Sequence, residues 1–477
     1  MTTTTAASAG RVHPAAILAI ILVSYFMIVL DNSIIFTGLP KIQEAMGLSA
    51  TDLSWVQNAY TLVFGGLLLL AARAGDLLGR RRVFIAGLAV FALASFLVGA
   101  APTGSWLVTA RALQGIGAAV VAPSALSLLT ANFPAGRERT RAVGYYGAVA
   151  GIGASLGLVV GGALADLLSW RAGFFINVPI GVAMMIATLK YVPESPRATG
   201  RFDLVGAVCS TLGMGALVFG IVNSTDAGWA PGTVASLGAA AALLTLLVVN
   251  EWRVKQPIMP LHLFASRERS GAYAARILFA GTMIAFFYFT TQFLQGVYHY
   301  NPLQAGVAFF PMTVVNFFVA LFVPRLTHRF GNALLLAAGL ALTLAGMGWL
   351  TRITADTPYL TGVALPMLLI GIGQGLAFGP LTAAGIAGVT ANDAGAASGL
   401  VNTAHQLGST LGVAVLVALS VGAASLADSV ATAYAGGTVM LAAALAIVLI
   451  LVLPAELKAR RALKNGPDRT PARASMQ

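Results

Sequence analysis

The sequence predicts an all-α polytopic membrane protein with fourteen transmembrane helices, arranged as two six-helix bundles plus two inserted helices. Three observations lead there. The 477 residues are 58% hydrophobic and only 9% charged, with a mean hydropathy of +0.85, against about 25% charged residues in an ordinary soluble domain. Apolar stretches long enough to cross a bilayer recur along the whole chain, separated by short polar or basic loops. Fragments of the first half also return in the second half at a nearly constant offset.

The apolar stretches, taken in order as spans 1 to 14, fall at residues 15–39, 51–72, 83–101, 106–131, 142–164, 173–192, 204–222, 233–250, 271–297, 303–323, 333–350, 359–382, 396–421 and 435–453. Span 1 is longer than a signal-peptide core and lacks a cleavage pattern after it, so it reads as retained. Alternate loops, counted from the N-terminus and with Lys190 at the very end of span 6 included, hold 23 of the 28 Lys and Arg residues. The opposite loops hold only Lys41, Arg171 and Arg352, while Arg111 and Arg276 fall inside spans. That asymmetry predicts a multi-pass protein of the cell (plasma) membrane with both termini cytoplasmic.

The formal net charge of +12 is therefore a topology signal, and no nucleic-acid partner is expected, because no basic domain stands apart from the lipid bilayer. Cys209 is the only cysteine, so neither a disulfide nor thiolate metal chemistry is expected. No H-E-x-x-H or comparable pair occurs, which argues against an enzyme and against a metal or other cofactor. Nothing in the pattern sets an oligomeric state. The tail after Pro454 is short, basic and reads as disordered.

The repeat defines the domains. Gln114-Gly115 and Thr130-Ala131-Asn132 recur as Gln374-Gly375 and Thr390-Ala391-Asn392, and Gly153 to Gly157 is echoed by Gly408 to Gly412. Spans 1 to 6 thus correspond to spans 9 to 14, and spans 7 and 8 read as an inserted hairpin. The expected units are a cytoplasmic N-terminus at 1–14, an N-terminal bundle at 15–192 and the hairpin with its linkers at 193–270. A C-terminal bundle at 271–453 and a basic tail at 454–477 follow. Repeated bundles around a central site can rock to expose that site to each side in turn.

Several residues carry chemistry. Asp31 is the one acid well inside a span, and an ionisable group at that depth usually marks an ion or substrate path. Arg111 in span 4 lies at a similar depth, given about 1.5 Å of rise per helical residue. Its positive charge opposes the burial penalty on the carboxylate, a balance that a proton can tip. Arg276, nearer the cytoplasmic end of span 9, reads as snorkelling. Between spans 2 and 3, Asp76, Gly79 and Arg80 combine an acid, a glycine turn and a basic cluster, the parts of a cytoplasmic salt-bridge latch. Span 5 carries Gly144, Gly153, Gly157, Gly161 and Gly162, a spacing that lets another helix approach closely.

Spans 9 and 10 are rich in aromatics, and Phe287 with Gln292, Gln295 and Asn316 among them suits a bulky lipophilic small molecule. Tyr60, Gln114 and His405 complete the expected lining.

At these residues the chain resembles the major facilitator superfamily, specifically its fourteen-span drug:proton antiporters. The matching parts are Asp31 with Leu39-Pro40, the Asp76 to Arg82 loop, Arg111 with Gln114-Gly115 and Gly117, and the span 5 glycines. The stretch Trp170-Arg171 with Phe175, Asn177, Pro179 and Gly181 also matches. Leu158 stands where the antiporter motif has proline, and Ala72 and Leu77 depart from the loop motif. The resemblance implies the major-facilitator fold and export of drugs, antibiotics or metabolites, with the proton as coupling ion and Asp31 and Arg111 in substrate binding and coupling. An uptake carrier for a nutrient such as a sugar or organic acid is the alternative that keeps the fold.

Overall fold

The computed structural model describes residues 14–133, 137–194, 203–227, 229–254, 257–389 and 393–464. Every long element among them is a helix, and each expected span is one of them, so the span numbers carry over. The first half comprises α1 (Pro14–Met46), α2 (Ala50–Leu78), α3 (Arg80–Gly99), α4 (Gly104–Asn132), α5 (Arg137–Leu167) and α6 (Ala172–Tyr191). The hairpin is α7 (Leu204–Ala227) and α8 (Pro231–Arg253). Next come α9 (Arg267–Gly296), α10 (Pro302–Phe330), α11 (Asn332–Leu350), α12 (Leu360–Gly385) and α13 (Ala394–Ser420). α14 begins at Leu426, and the chain stays helical to Lys464. Thirteen helices are long and apolar enough to cross a membrane, and α5 adds the shorter apolar segment Leu156–Leu167.

Three boundaries differ from expectation for local reasons. α14 starts well before residue 435, because Ser425 caps it by accepting a hydrogen bond from the Asp428 amide at 3.1 Å. The same polar residues depress the hydropathy that the span was read from. α1 continues past Pro40 to Met46, and Lys41 anchors the extension by donating to the Ala165 carbonyl at 2.9 Å. The first residues of the tail are ordered helix, since Glu456 accepts from the Asn332 amide at 3.1 Å and so ties the tail to the start of α11. The second-half repeat Thr390-Ala391-Asn392 lies outside the described residues, as does the remainder of the tail.

Packing follows the internal repeat. In the first half α1 packs on α5, α2 and α3 pack on α4, and α3 packs on α6; the second half repeats this as α9 on α13, α10 and α11 on α12, and α11 on α14. Small residues make the repeated contacts. A β-carbon added to Gly157 would lie 2.5 Å from Ser33 Cβ, and one on Gly161 2.6 Å from Ile34 Cα, so α5 lies directly against α1. In the second half Gly412 meets Gly281 in the same way.

The halves join along two seams, α2 with α13 and α5 with α10, with α1 and α9 meeting between them. Thr61 and Thr410 hydroxyls bond at 2.7 Å in the first seam, and the hairpin covers it, α7 packing on both α2 and α13. The second seam closes at one end, where Gly162 abuts the Pro302 carbonyl and Gly306 abuts the Leu158 carbonyl.

Candidate functional site in the membrane core

Asp31 sits on the face of α1 that packs inside the first bundle, and its side chain is fully buried. Its Oδ2 accepts from Arg111 Nη1 at 3.0 Å, and its Oδ1 accepts from Gln114 Nε2 at 2.8 Å and from Asn177 Nδ2 at 2.7 Å. Arg111 is equally buried; its Nε donates to the Val56 carbonyl at 3.0 Å and its Nη1 to Gln114 Oε1 at 2.6 Å. The guanidinium lies over the Tyr60 ring, 4.3 Å from the centroid, with Phe174 at 5.7 Å. Gln114 Nε2 also reaches Ser95 Oγ at 2.8 Å. Five helices, α1, α2, α3, α4 and α6, thus converge on one ionic cluster.

A carboxylate only accepts, and here three donor side chains surround it. Two charges taken out of water need further hydrogen bonds to offset their desolvation; both carboxylate oxygens have them, whereas Arg111 Nη2 and Asn177 Oδ1 are buried without a partner. Adding a proton to Asp31 would withdraw one acceptor site and weaken its attraction for Arg111, loosening α1 from α4 and α6.

Between the bundles lies a cavity of about 1310 Å³. Asn32, Ser33 and Phe36 of α1 form part of its deep wall, and Arg73, Pro257 and Asp393 line it toward the end of the molecule that carries most of the basic loops. Beyond the deep wall the halves are tied together: Gln295 Nε2 donates to the Thr37 carbonyl at 2.9 Å and the Tyr288 hydroxyl to the Ala50 carbonyl at 3.4 Å. The cavity is therefore open toward one end and closed at the other.

The expected residues divide between the two places. Phe287, Asn316 and His405 line the cavity, and Asn316 Nδ2 donates to Gln374 Oε1 at 2.7 Å on the same wall. Tyr60 and Gln114 do not; both are buried in the ionic cluster behind it. Gln292 is spent on the Tyr288 carbonyl at 3.5 Å, and Gln295 belongs to the closed end. The aromatics divide too: Phe279 and Phe317 face the cavity, Phe286 and Phe293 fill the second bundle, and Phe310 and Phe318 are exposed on its outside. Asp31 and Arg111 are not on the cavity wall, which leaves direct contact with substrate without support in this conformation. Their link to it is α1, where the neighbouring Asn32 lines the cavity and accepts from Gln57 at 3.0 Å.

The chain turns a tight corner between α2 and α3. Gly79 sits at φ 106°, a conformation that favours glycine, and Gly331 repeats it at φ 95° in the second half. Arg80 Nη1 donates to the Ser127 carbonyl at 3.3 Å, within its own bundle. The Asp76 side chain and the surroundings of Gly144 lie outside what the structure describes.

Glu194, past the end of α6, accepts from the Arg81 amide at 3.1 Å and lies 3.7 Å from Arg82 Nε. Glu456 does the corresponding job after α14. Sequence reasoning missed both; the signal was an acid at matching places after the sixth helix of each half. Arg276 also departs from expectation. It is only 3% exposed and lines the cavity instead of snorkelling outward, because Thr382 Oγ1 at 3.1 Å and the Phe378 ring at 4.2 Å hold it inside.

Two pseudo-repeated helical bundles around a cavity closed at one end define a membrane carrier. The chain belongs to the major facilitator superfamily, whose family model, described as Major Facilitator Superfamily, matches residues 21–413. It is 39% identical over 444 residues to the cephamycin export protein CmcT of Amycolatopsis lactamdurans, covering 91% of each chain. It is likewise 39% identical over 458 residues to the puromycin resistance protein pur8 of Streptomyces alboniger, covering 91% of this chain and 90% of that one. Among solved structures, a peptide transporter POT in complex with sulfate superposes with a TM-score of 0.68 at 14% identity, over 96% of this chain and 97% of that one. At that identity the likeness concerns the fold alone. The fold and family are those of transport proteins, not enzymes.

Proposed function

We propose that this chain exports lipophilic small molecules, drugs, antibiotics or metabolites, from the cell in exchange for inward-moving protons. The observation that carries the reading is a single helix, α1, holding a buried carboxylate cluster on one face and the wall of a large apolar cavity on the other. Relatives whose names record antibiotic export and resistance support the substrate class. With the termini and the basic loops cytoplasmic, the cavity opens inward and receives substrate from the cytoplasmic side.

Substrate enters the cavity against Phe279, Phe287 and Phe317. Protonation of Asp31 loosens α1 from α4 and α6, and the seams between the halves then re-pair so that the opposite end opens. Return of the proton-free carboxylate to Arg111, Gln114 and Asn177 resets the first bundle. Each ligand drives this cycle by binding the two conformations unequally.

Purified protein in vesicles tests the reading: an imposed pH gradient should move a lipophilic substrate, and Asp31→Asn should abolish that coupling. Transport by Asp31→Asn with unchanged dependence on the gradient would remove Asp31 from its role.

A further inference from the structure

Arg276 is a buried cation that the coupling scheme does not use. It lies on α9, about 13 Å along the helix from its first residue at 1.5 Å per residue, and is 3% exposed while lining the cavity. Its Nη1 donates to Thr382 Oγ1 at 3.1 Å and to the Phe378 carbonyl at 3.4 Å, and its guanidinium stacks over the Phe378 ring at 4.2 Å. Its Nε has no hydrogen-bond partner.

Among the described residues no carboxylate forms an ion pair with it. The acids that line the cavity are otherwise engaged nearer its mouth: Asp203 accepts from Asn250 at 2.9 Å, and Asp393 pairs with His262 at 3.1 Å. Arg111 offers the contrast, a guanidinium equally deep but neutralised by Asp31.

A second orphan shares the wall. His405 stands edge-on to the Phe378 ring, 5.9 Å between centroids, and its Nδ1 is buried without a partner. Across the cavity, Tyr25 and Tyr146 stack at 3.9 Å, and Tyr25 is within electrostatic reach of Arg276. A desolvated, unneutralised guanidinium flanked by further hydrogen-bonding groups is the arrangement that binds a carboxylate, sulfonate or phosphate. Apolar Phe279, Met283 and Phe287 nearby would take a hydrophobic body.

We propose that Arg276 binds the anionic group of an amphipathic substrate, so that the cavity favours lipophilic anions over neutral or cationic compounds of the same shape. The proposal rests on the export reading and adds the charge class of what is exported.

The test uses three dansyl probes of matched chain length, a carboxylic acid, its methyl ester and a primary amine, with the purified full-length protein at neutral pH. The native protein should bind the acid about tenfold more tightly than the ester, the size expected of one charge-assisted hydrogen bond, and the amine more weakly still. Arg276→Gln should bring the ratio of acid to ester binding close to one, and Arg276→Lys should keep part of the preference. Equal binding of acid and ester by the native protein overturns the proposal without recourse to any variant, as does an acid preference that survives in Arg276→Gln. Gradient-driven movement of the ester in vesicles separates the two readings. If the ester moves but the acid has no advantage, export stands and the role of Arg276 falls. If no probe binds or moves, both fall.

Discussion

The two bundles repeat one packing plan but treat the centre of their fourth helix in opposite ways. In the first, Arg111 on α4 reaches into an ionic cluster with Asp31, Gln114 and Asn177. At the repeat offset of 260 residues set by Gln114 and Gln374, the second bundle has Gly371, whose added β-carbon would collide with the Met312 carbonyl on α10. Position 374 keeps the glutamine but turns it to Asn316 on the cavity wall, where its Oε1 accepts from Asn316 Nδ2. One half thus carries a charge pair sealed from the cavity, and the other carries close backbone packing plus Arg276 facing it, with no carboxylate paired to it among the described residues. The difference teaches that one packing plan can carry two different centres, and under the proposed export cycle coupling would fall to the first half and ligand recognition to the second.

Removing one partner of the sealed pair should produce the largest effect. Asp31→Ala leaves Arg111 charged and buried, and should lower unfolding stability by about 3–5 kcal/mol, read as a fall in the thermal midpoint of the detergent-purified protein. Combining it with Arg111→Met should recover part of that loss. A stability unchanged in the single variant would mean that the cluster is not the tight, dry network described.

Next comes the packing that replaces it in the second half. Gly371→Val must push α12 away from α10 and should cost about 1–3 kcal/mol as overpacking, with transport falling in step with folded protein. A variant that folds normally would show that the two helices are looser than their backbone contact implies.

The smallest effects sharpen the contrast most. Gln114→Ala and Gln374→Ala each remove one amide and should cost about 1 kcal/mol of stability. Under the proposed cycle only Gln114→Ala should alter the pH dependence of transport, because of the two glutamines only Gln114 touches Asp31. Equal pH profiles for the two variants would erase the functional distinction between the bundles.

Much of this was legible in the sequence. Helix positions followed from apolar length, the two bundles from the 260-residue echo, and the meeting of Asp31 with Arg111 from their shared depth. Asn177 was visible only as one residue of the stretch resembling the superfamily. Which side each helix turns to the cavity was not legible: the outer face of a membrane helix meets lipid as apolar as the protein core, so periodicity does not distinguish them. Tyr60 and Gln114 were accordingly placed on the cavity when they lie behind its wall, and Arg276 was sent outward when Thr382 and Phe378 hold it in. The roles of Glu194 and Glu456 depend on the segment at the end of each half returning to the start of that half's third helix, a long-range pairing whose only trace in the sequence is the matching position of the two acids.

Proton movement during substrate exchange tests the central claim most directly. In vesicles containing the native protein and an internal pH indicator, adding a transported lipophilic compound should drive a proton flux opposite in direction to the compound. Asp31→Asn, reconstituted at equal folded amount, should show none. A substrate-driven flux of native size in Asp31→Asn would contradict the account.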